Sequence, residues 1–267
     1  MPNDSSNSPL EGHDPRHHRT VLFYGDEAFA RIHAARVTIV GLGGVGGHAA
    51  MNLARSGIGH LHVVDFDEVS ATSLNRSPFA TPADVGLDKA EVLRADLARS
   101  CPDVDVQATI AFCKEETLPQ VVPASGPDRP DLVIDAIDSL NTKVGLLVWC
   151  WNNQVPVLAS LGAAGKRDVG AVRTGDLFDS SICPLAKKVR GRLHRQGVEG
   201  PIPAIWSVER AIAHRPDAPK EAPDAVSARG GTGRTRNTLA SQMTLPGVFG
   251  YGLAAMALDI IARGGSK

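Results

Sequence analysis

The sequence has few cysteines and pairs none of them: Cys101, Cys113, Cys150 and Cys183 form no C-x-x-C motif. That spacing excludes a zinc ribbon and a thioredoxin-type redox site, so the four read as reduced intracellular thiols. Charge of one sign is not in excess either, with 28 Lys+Arg against 29 Asp+Glu in 267 residues. A globally basic nucleic-acid binder and an acidic disordered tail protein are thereby excluded, and any basic patch must be local. The start of the chain, residues 1–18, holds no apolar core of a secretory signal and too few arginines for a transit peptide. Long apolar runs are also missing. The longest, residues 246–262, is interrupted by Asp259 and rich in Gly and Ala, which makes it marginal as a spanning helix. The expectation is a cytoplasmic protein, with peripheral membrane attachment through that segment left open. Aromatics reach only 4%, but 43% hydrophobic residues suffice to bury a core.

What is present is an alternation of strand and helix patterns. A helical pattern over residues 21–34, with Asp26 as its cap, precedes the buried-type run Val37-Thr38-Ile39-Val40. A glycine-rich turn follows, then a helix over 48–56 closed by Gly57 and a second strand over 60–65 that ends on a carboxylate. Further on come a helix over 89–100, an edge strand over 104–108, a loop over 119–131 and a buried strand over 132–138. A helix over 142–152, a strand over 155–159, a short strand over 171–174 and a helix over 184–196 complete the series. The fold class is α/β, a Rossmann-like, mainly parallel sheet with flanking helices and a smaller C-terminal extension. Residues 1–18 read as a flexible start, 19–209 as one nucleotide-binding domain, 210–244 as a mobile loop and 245–267 as a helix packed back on the domain.

Gly41, Gly43 and Gly46 satisfy G-x-G-x-x-G between a strand and a helix, where glycine lets the backbone approach a phosphate and the helix start offers free N–H groups. Asp65, about twenty residues on, stands where a carboxylate accepts hydrogen bonds from ribose hydroxyls. A glycine turn that serves only helix packing is the alternative. Arg76 and Lys89 follow soon after the second strand, as cations for a nucleoside triphosphate or as ordinary solvated charges.

Five motifs in order, Gly41-x-Gly43-Gly44-Val45-Gly46, Val64-Asp65-Phe66-Asp67, Leu74-Asn75-Arg76, Gly86-x-x-Lys89 and Asp135-Ala136-Ile137-Asp138, resemble those of the ThiF/MoeB/ubiquitin-activating-enzyme superfamily. The likeness covers about residues 16–210 and implies adenylation of a carboxylate with MgATP. By that resemblance the glycines and Asp65, with Asp67 beside it, hold nucleotide and ribose. Asn75, Arg76 and Lys89 hold the phosphates, and Asp138 holds Mg2+. Arg19 falls where the superfamily lends an arginine across a homodimer interface. Arg76, Lys89 and Asp138 are then the catalytic set. Read from the chain alone, Asp138 is also placed to cap the helix that follows.

Residues 160–166, 175–177 and 184–190 resemble the tRNA threonylcarbamoyladenosine dehydratase branch of that superfamily, which activates the threonyl carboxylate on tRNA and cyclises it. That resemblance implies a tRNA partner and no DNA. Independently, Lys187, Lys188, Arg190, Arg192 and Arg195 stand in a stretch without acids, interleaved with Leu185, Val189 and Leu193 at four-residue spacing. One helix face would pack and the other would attract a phosphate backbone, the alternative being a plain solvated face. Cys183 departs from the branch, which commonly has an acid there. It reads as a packing or surface thiol, with a nucleophile as the alternative. The second functional reading is therefore adenylation of a ubiquitin-like or sulfur-carrier protein, with Cys183 as acceptor.

Overall fold

The computed structural model describes residues 12–212 and 239–264, with backbone alone at Lys220–Glu221 and Arg236–Asn237. Residues 1–11 of the expected flexible start, and most of the expected 210–244 loop with Arg229 and Arg234, lie outside those residues. Structure begins earlier than expected: Asp14 caps a 3-10 turn at Pro15–His17, and buried His17 places Nε2 2.5 Å from Asp103. The single helix expected over 21–34 is two. α1 (His18–Tyr24) and α2 (Asp26–Ala34) meet at Gly25, whose φ of 81° no helix accommodates, and Gly25, rather than Asp26, is the N-cap residue.

The β-branched run forms β1 (Arg36–Val40), buried from Val37 onward. α3 (Gly44–Arg55) starts inside the glycine run instead of at His48 and leads to β2 (His60–Asp65). α4 (Lys89–Ser100), β3 (Asp105–Ile110) and a short α5 (Leu118–Val121) follow; α5 occupies the start of the expected loop. Next come β4 (Leu132–Asp135), α6 (Leu140–Asn152), β5 (Val157–Ser160), β6 (Val172–Asp176) and α7 (Pro184–Arg195). β7 (Pro203–Ser207) was not anticipated; Pro201 and Pro203 mask a run that is otherwise apolar. β8 (Lys220–Glu221) pairs with β9 (Arg236–Asn237), and α8 (Thr244–Ala262) ends the described chain.

The main sheet has the order β3-β2-β1-β4-β5-β7-β6 and is parallel except for β6, which runs antiparallel to β7. From β1 the chain moves outward through β2 and β3, then returns to build β4 and β5 on the other side. Connections from the C-terminal ends of β1 and β4 therefore leave in opposite senses, and a crevice opens between them. On one face Ile32, Leu53, Leu93 and Phe249 of α2, α3, α4 and α8 pack on Val37, Ile39, Leu61 and Ile134. On the other, Leu146 and Cys150 of α6 meet Val40, Val64 and Val133, and Val189 and Leu193 of α7 meet Leu147 and Trp206.

α8 is long and apolar enough to cross a bilayer, but 61% of that stretch is buried in this fold. It lies on α3 so closely that a Cβ at Gly250 would stand 2.5 Å from the Val45 carbonyl oxygen. All four cysteines are buried, and burial beside Asp65 and Asp135 pushes the Cys113 thiol up to about 12.

Candidate nucleotide site

The crevice begins with backbone geometry that only glycine permits. Gly41 has a φ of 92°, and a Cβ there would meet the Ala136 carbonyl carbon and oxygen at 2.9 Å. At Gly46 a Cβ would lie 1.8 Å from the Gly41 oxygen. Gly43 sits at the N-cap of α3 without a side-chain cap, is exposed, and has nothing within 4 Å of a Cβ position. Without a side-chain cap, the start of α3 keeps the positive end of the helix for a ligand, an arrangement suited to phosphate.

Asp65, at the end of β2, is buried and holds the turn: Oδ2 accepts the Leu42 N–H at 2.6 Å and Oδ1 the Asp67 N–H at 2.8 Å. Burial pushes its carboxyl up, against the pull of Lys89. Lys89 opens α4, with 13% of its side chain exposed, and donates from Nζ to Asp67 Oδ2 at 2.9 Å. Burial works against its charge, but Asp65, Asp67 and Asp138 outweigh that and raise its pKa. Lys89 therefore stays a cation in a site that would otherwise be negative.

Gly43, Gly44, Ser73, Arg76, Ser77 and Lys89 line one small cavity. Arg76 is half-buried and donates from Nη1 to the Thr72 carbonyl at 2.9 Å and to Asn75 Oδ1 at 3.2 Å. Asn75 is engaged elsewhere than expected, since its Nδ2 donates to the Ser241 carbonyl at 3.1 Å. Ser241 lies just ahead of α8, so Asn75 ties that approach to the rim of the crevice. Asp138 is exposed on the turn between β4 and α6, and the N-cap residue of α6 is Ser139 rather than Asp138. Arg19 is exposed on α1 and does not line the cavity.

Two buried lysines escaped the sequence reading. Lys143 Nζ stands 2.6 Å from Asp135 Oδ2 with both side chains fully buried. A lone cation heading the apolar run 144–150 was its only sequence signal. Lys166 donates from Nζ to the Ser207 carbonyl at 2.9 Å, and burial lowers its pKa. Beside it, Gly165 accepts from the Ile212 N–H at 2.8 Å and donates to the Ala240 carbonyl at 2.7 Å.

The cationic stretch on α7 is only partly available. Arg190 donates from Nη1 to Ser180 Oγ at 2.6 Å and to the Ser180 carbonyl, and Arg192 Nη1 donates to Asn141 Oδ1. Lys187, Lys188 and Arg195 are exposed, while Val189 and Leu193 are buried. The Cys183 thiol is buried with Leu161, Ala186 and Trp206, away from solvent.

Comparison with known proteins decides the family, because the ThiF family pattern matches residues 16–262, almost the whole described chain. The chain belongs to the ThiF family. This ThiF-family chain is 35% identical over 203 residues to the tRNA threonylcarbamoyladenosine dehydratase of Bacillus subtilis, covering 76% of this chain and 78% of that one. It is also 35% identical over 190 residues to tRNA threonylcarbamoyladenosine dehydratase 2 of Saccharomyces cerevisiae. That match covers 71% of this chain but spans only 42% of the yeast protein. The E. coli dehydratase TcdA in complex with AMP superimposes with a TM-score of 0.81 at 27% identity, covering 97% and 98% of the two chains. Its complex with ATP gives 0.79 at 28% identity, covering 93% and 94%.

The same ThiF-family crevice can be tested for Mg2+ by its donor chemistry. Among the described residues no group of three or more His, Cys, Asp or Glu could hold a metal. Mg2+ is ordinarily bound by one or two carboxylates together with substrate phosphates, and an exposed carboxylate at Asp138 fits that pattern.

Proposed function

We propose that this chain is an ATP-dependent tRNA threonylcarbamoyladenosine dehydratase. The observation that carries the reading is the match along nearly the full chain to a dehydratase solved with AMP and with ATP, together with a crevice that joins a glycine turn to Arg76 and Lys89. The threonyl carboxylate attacks the α-phosphate; a P–O bond forms to the carboxylate oxygen and the bond to pyrophosphate breaks. The neighbouring carbamoyl group then attacks the activated acyl carbon and gives up a proton to solvent, AMP leaves with the former carboxylate oxygen, and the nucleoside is shorter by one water. In this reading Asp65 orients the ribose, the N–H groups of α3 and Arg76 take phosphate charge, and Lys89, held by Asp67, supplies fixed positive charge as pyrophosphate departs. Asp138 would hold Mg2+, which when bound offsets phosphate charge. Asn75, held to the Ser241 carbonyl and accepting from Arg76, stands with that arginine on the phosphate side.

Incubation with MgATP and tRNA bearing threonylcarbamoyladenosine, followed by mass spectrometry of the nucleosides, tests the reading. Loss of one water with release of AMP is expected; an unchanged nucleoside overturns it. The carrier-protein reading places the activated acyl group on Cys183, whose thiol is buried. Cys183→Ala, which removes the thiol without burying a hydroxyl, is accordingly expected to leave cyclisation within about twofold of the unaltered chain.

Lys187, Lys188 and Arg195 are proposed as the tRNA face. Lys187→Glu with Lys188→Glu is expected to raise KM for tRNA about tenfold or more and to flatten its salt dependence by about two phosphate contacts. KM for ATP should stay unchanged, and an unchanged KM for tRNA would overturn the assignment of this face. A homodimer is proposed through α1, where Leu22 and Phe23 are 64% and 78% exposed beside Arg19. A cytoplasmic location follows from the tRNA substrate.

A further inference from the structure

Two charges shut away from water sit directly behind the turn that carries Asp138, and the proposed chemistry uses neither of them. Lys143 Nζ and Asp135 Oδ2 are 2.6 Å apart and both side chains are fully buried. A buried ion pair contributes little to stability compared with apolar residues of the same shape, because desolvating both charges offsets their attraction. Its presence at this place has a positional explanation. The two carboxylate oxygens of Asp135 have separate tasks: Oδ2 takes Lys143, and Oδ1 accepts the Ile137 N–H at 3.1 Å. The carboxylate thus closes the turn 135–138 upon itself, while Lys143 ties it to α6. On the opposite side Ala136 N–H donates to the Val40 carbonyl at 2.9 Å, and the Ala136 carbonyl lies against Gly41. The turn is thus tied to β1 on one side and to α6 on the other. Asp138 leaves it where its charge acts on Lys89.

We infer that the Asp135–Lys143 ion pair is a positioning device, fixing the Asp138 carboxylate for a Mg2+-bound triphosphate. The inference rests on Asp138 being the metal-holding carboxylate. Displacing a group by about 1 Å at a reacting centre can cost on the order of a hundredfold, so a turn held from both sides matters even though neither charge touches substrate.

The test is calorimetry of the full chain with ATP, in the presence and absence of Mg2+, and with AMP. Asp135→Leu combined with Lys143→Met replaces the pair by apolar side chains and leaves no buried charge alone, as a single replacement would. The double variant is expected to bind AMP within about twofold of the unaltered chain but to lose about tenfold of the gain in ATP affinity that Mg2+ brings. A folded double variant with the full Mg2+ gain overturns the inference. Asp135→Asn with Lys143→Gln keeps a hydrogen bond without charge and is expected to lose about threefold of the gain. An unchanged gain in that variant is equally decisive if the apolar pair does not fold. Asp138→Asn separates the two levels. A gain that survives Asp138→Asn overturns the reading of Asp138 itself. A gain lost there but kept in the double variants overturns only the positioning role.

Discussion

Asp138→Asn is expected to slow cyclisation of threonylcarbamoyladenosine by about 10²- to 10³-fold, the usual consequence of removing one group aimed at developing charge. The substitution conserves shape. It leaves the start of α6 intact because the N-cap residue is Ser139. It does not neutralise Lys89, which retains Asp65 and Asp67 as negative neighbours. The loss should therefore appear in the chemical step and in the response to Mg2+, with thermal stability and AMP binding preserved. A time course of the dehydrated nucleoside at saturating tRNA checks the first, and a melting curve checks the second. A variant that turns over at the rate of the unaltered chain would remove Asp138 from the catalytic set.

Gly46→Ala is expected to be the most damaging single methyl addition near the site, costing more than about 4 kcal/mol of stability. The new carbon would stand 1.8 Å from the Gly41 carbonyl oxygen, and the obstacle is backbone, which no rotamer relieves. Withdrawal of α3 is blocked on two further sides. Gly47 is pressed against Phe79, where a Cβ would come within 2.7 Å, and Val45 and His48 are pressed against Gly250. The glycine turn must distort instead, so nucleotide binding falls together with the fold. Gly43→Ala is the matched comparison: its φ is −71° and nothing lies within 4 Å of a Cβ there. Its cost should be about 0.5–1 kcal/mol, the usual disadvantage of Ala against Gly at an N-cap. Thermal unfolding of the two variants side by side decides the matter, and equal melting points would refute the steric argument.

The contrast between those two glycines indicates what sequence could and could not disclose. The turn after β1 was legible because its requirement is local: a strand, a positive φ and a helix start leave room for glycine alone. Asp65 and Lys89 were legible for a similar reason, since each stands at the end or beginning of a readable element. The destination of Asn75 was not, because its partner Ser241 lies far along the chain and only the fold brings them together. Lys143 was passed over because a lysine in a helix ordinarily reaches water, and nothing in one sequence says that this one cannot. On α7 the sequence counts five cations, but only packing reveals that Arg190 and Arg192 spend their donors on Ser180 and Asn141. The break at Gly25 was hidden by helical periodicity continuing across it.

Gly165 offers its N–H to Ala240 and its carbonyl to Ile212, so the two ends of the intervening chain are gathered on one residue. The separation of those ends is then independent of how many residues lie between them. Length added or removed there costs chain entropy, which grows only as the logarithm of length, and need not move β7, whose Ser207 carbonyl holds Lys166. The two hydrogen bonds act in effect as a port, at which chain could be spliced between residues 212 and 240 while Ile212 and Ala240 keep their places.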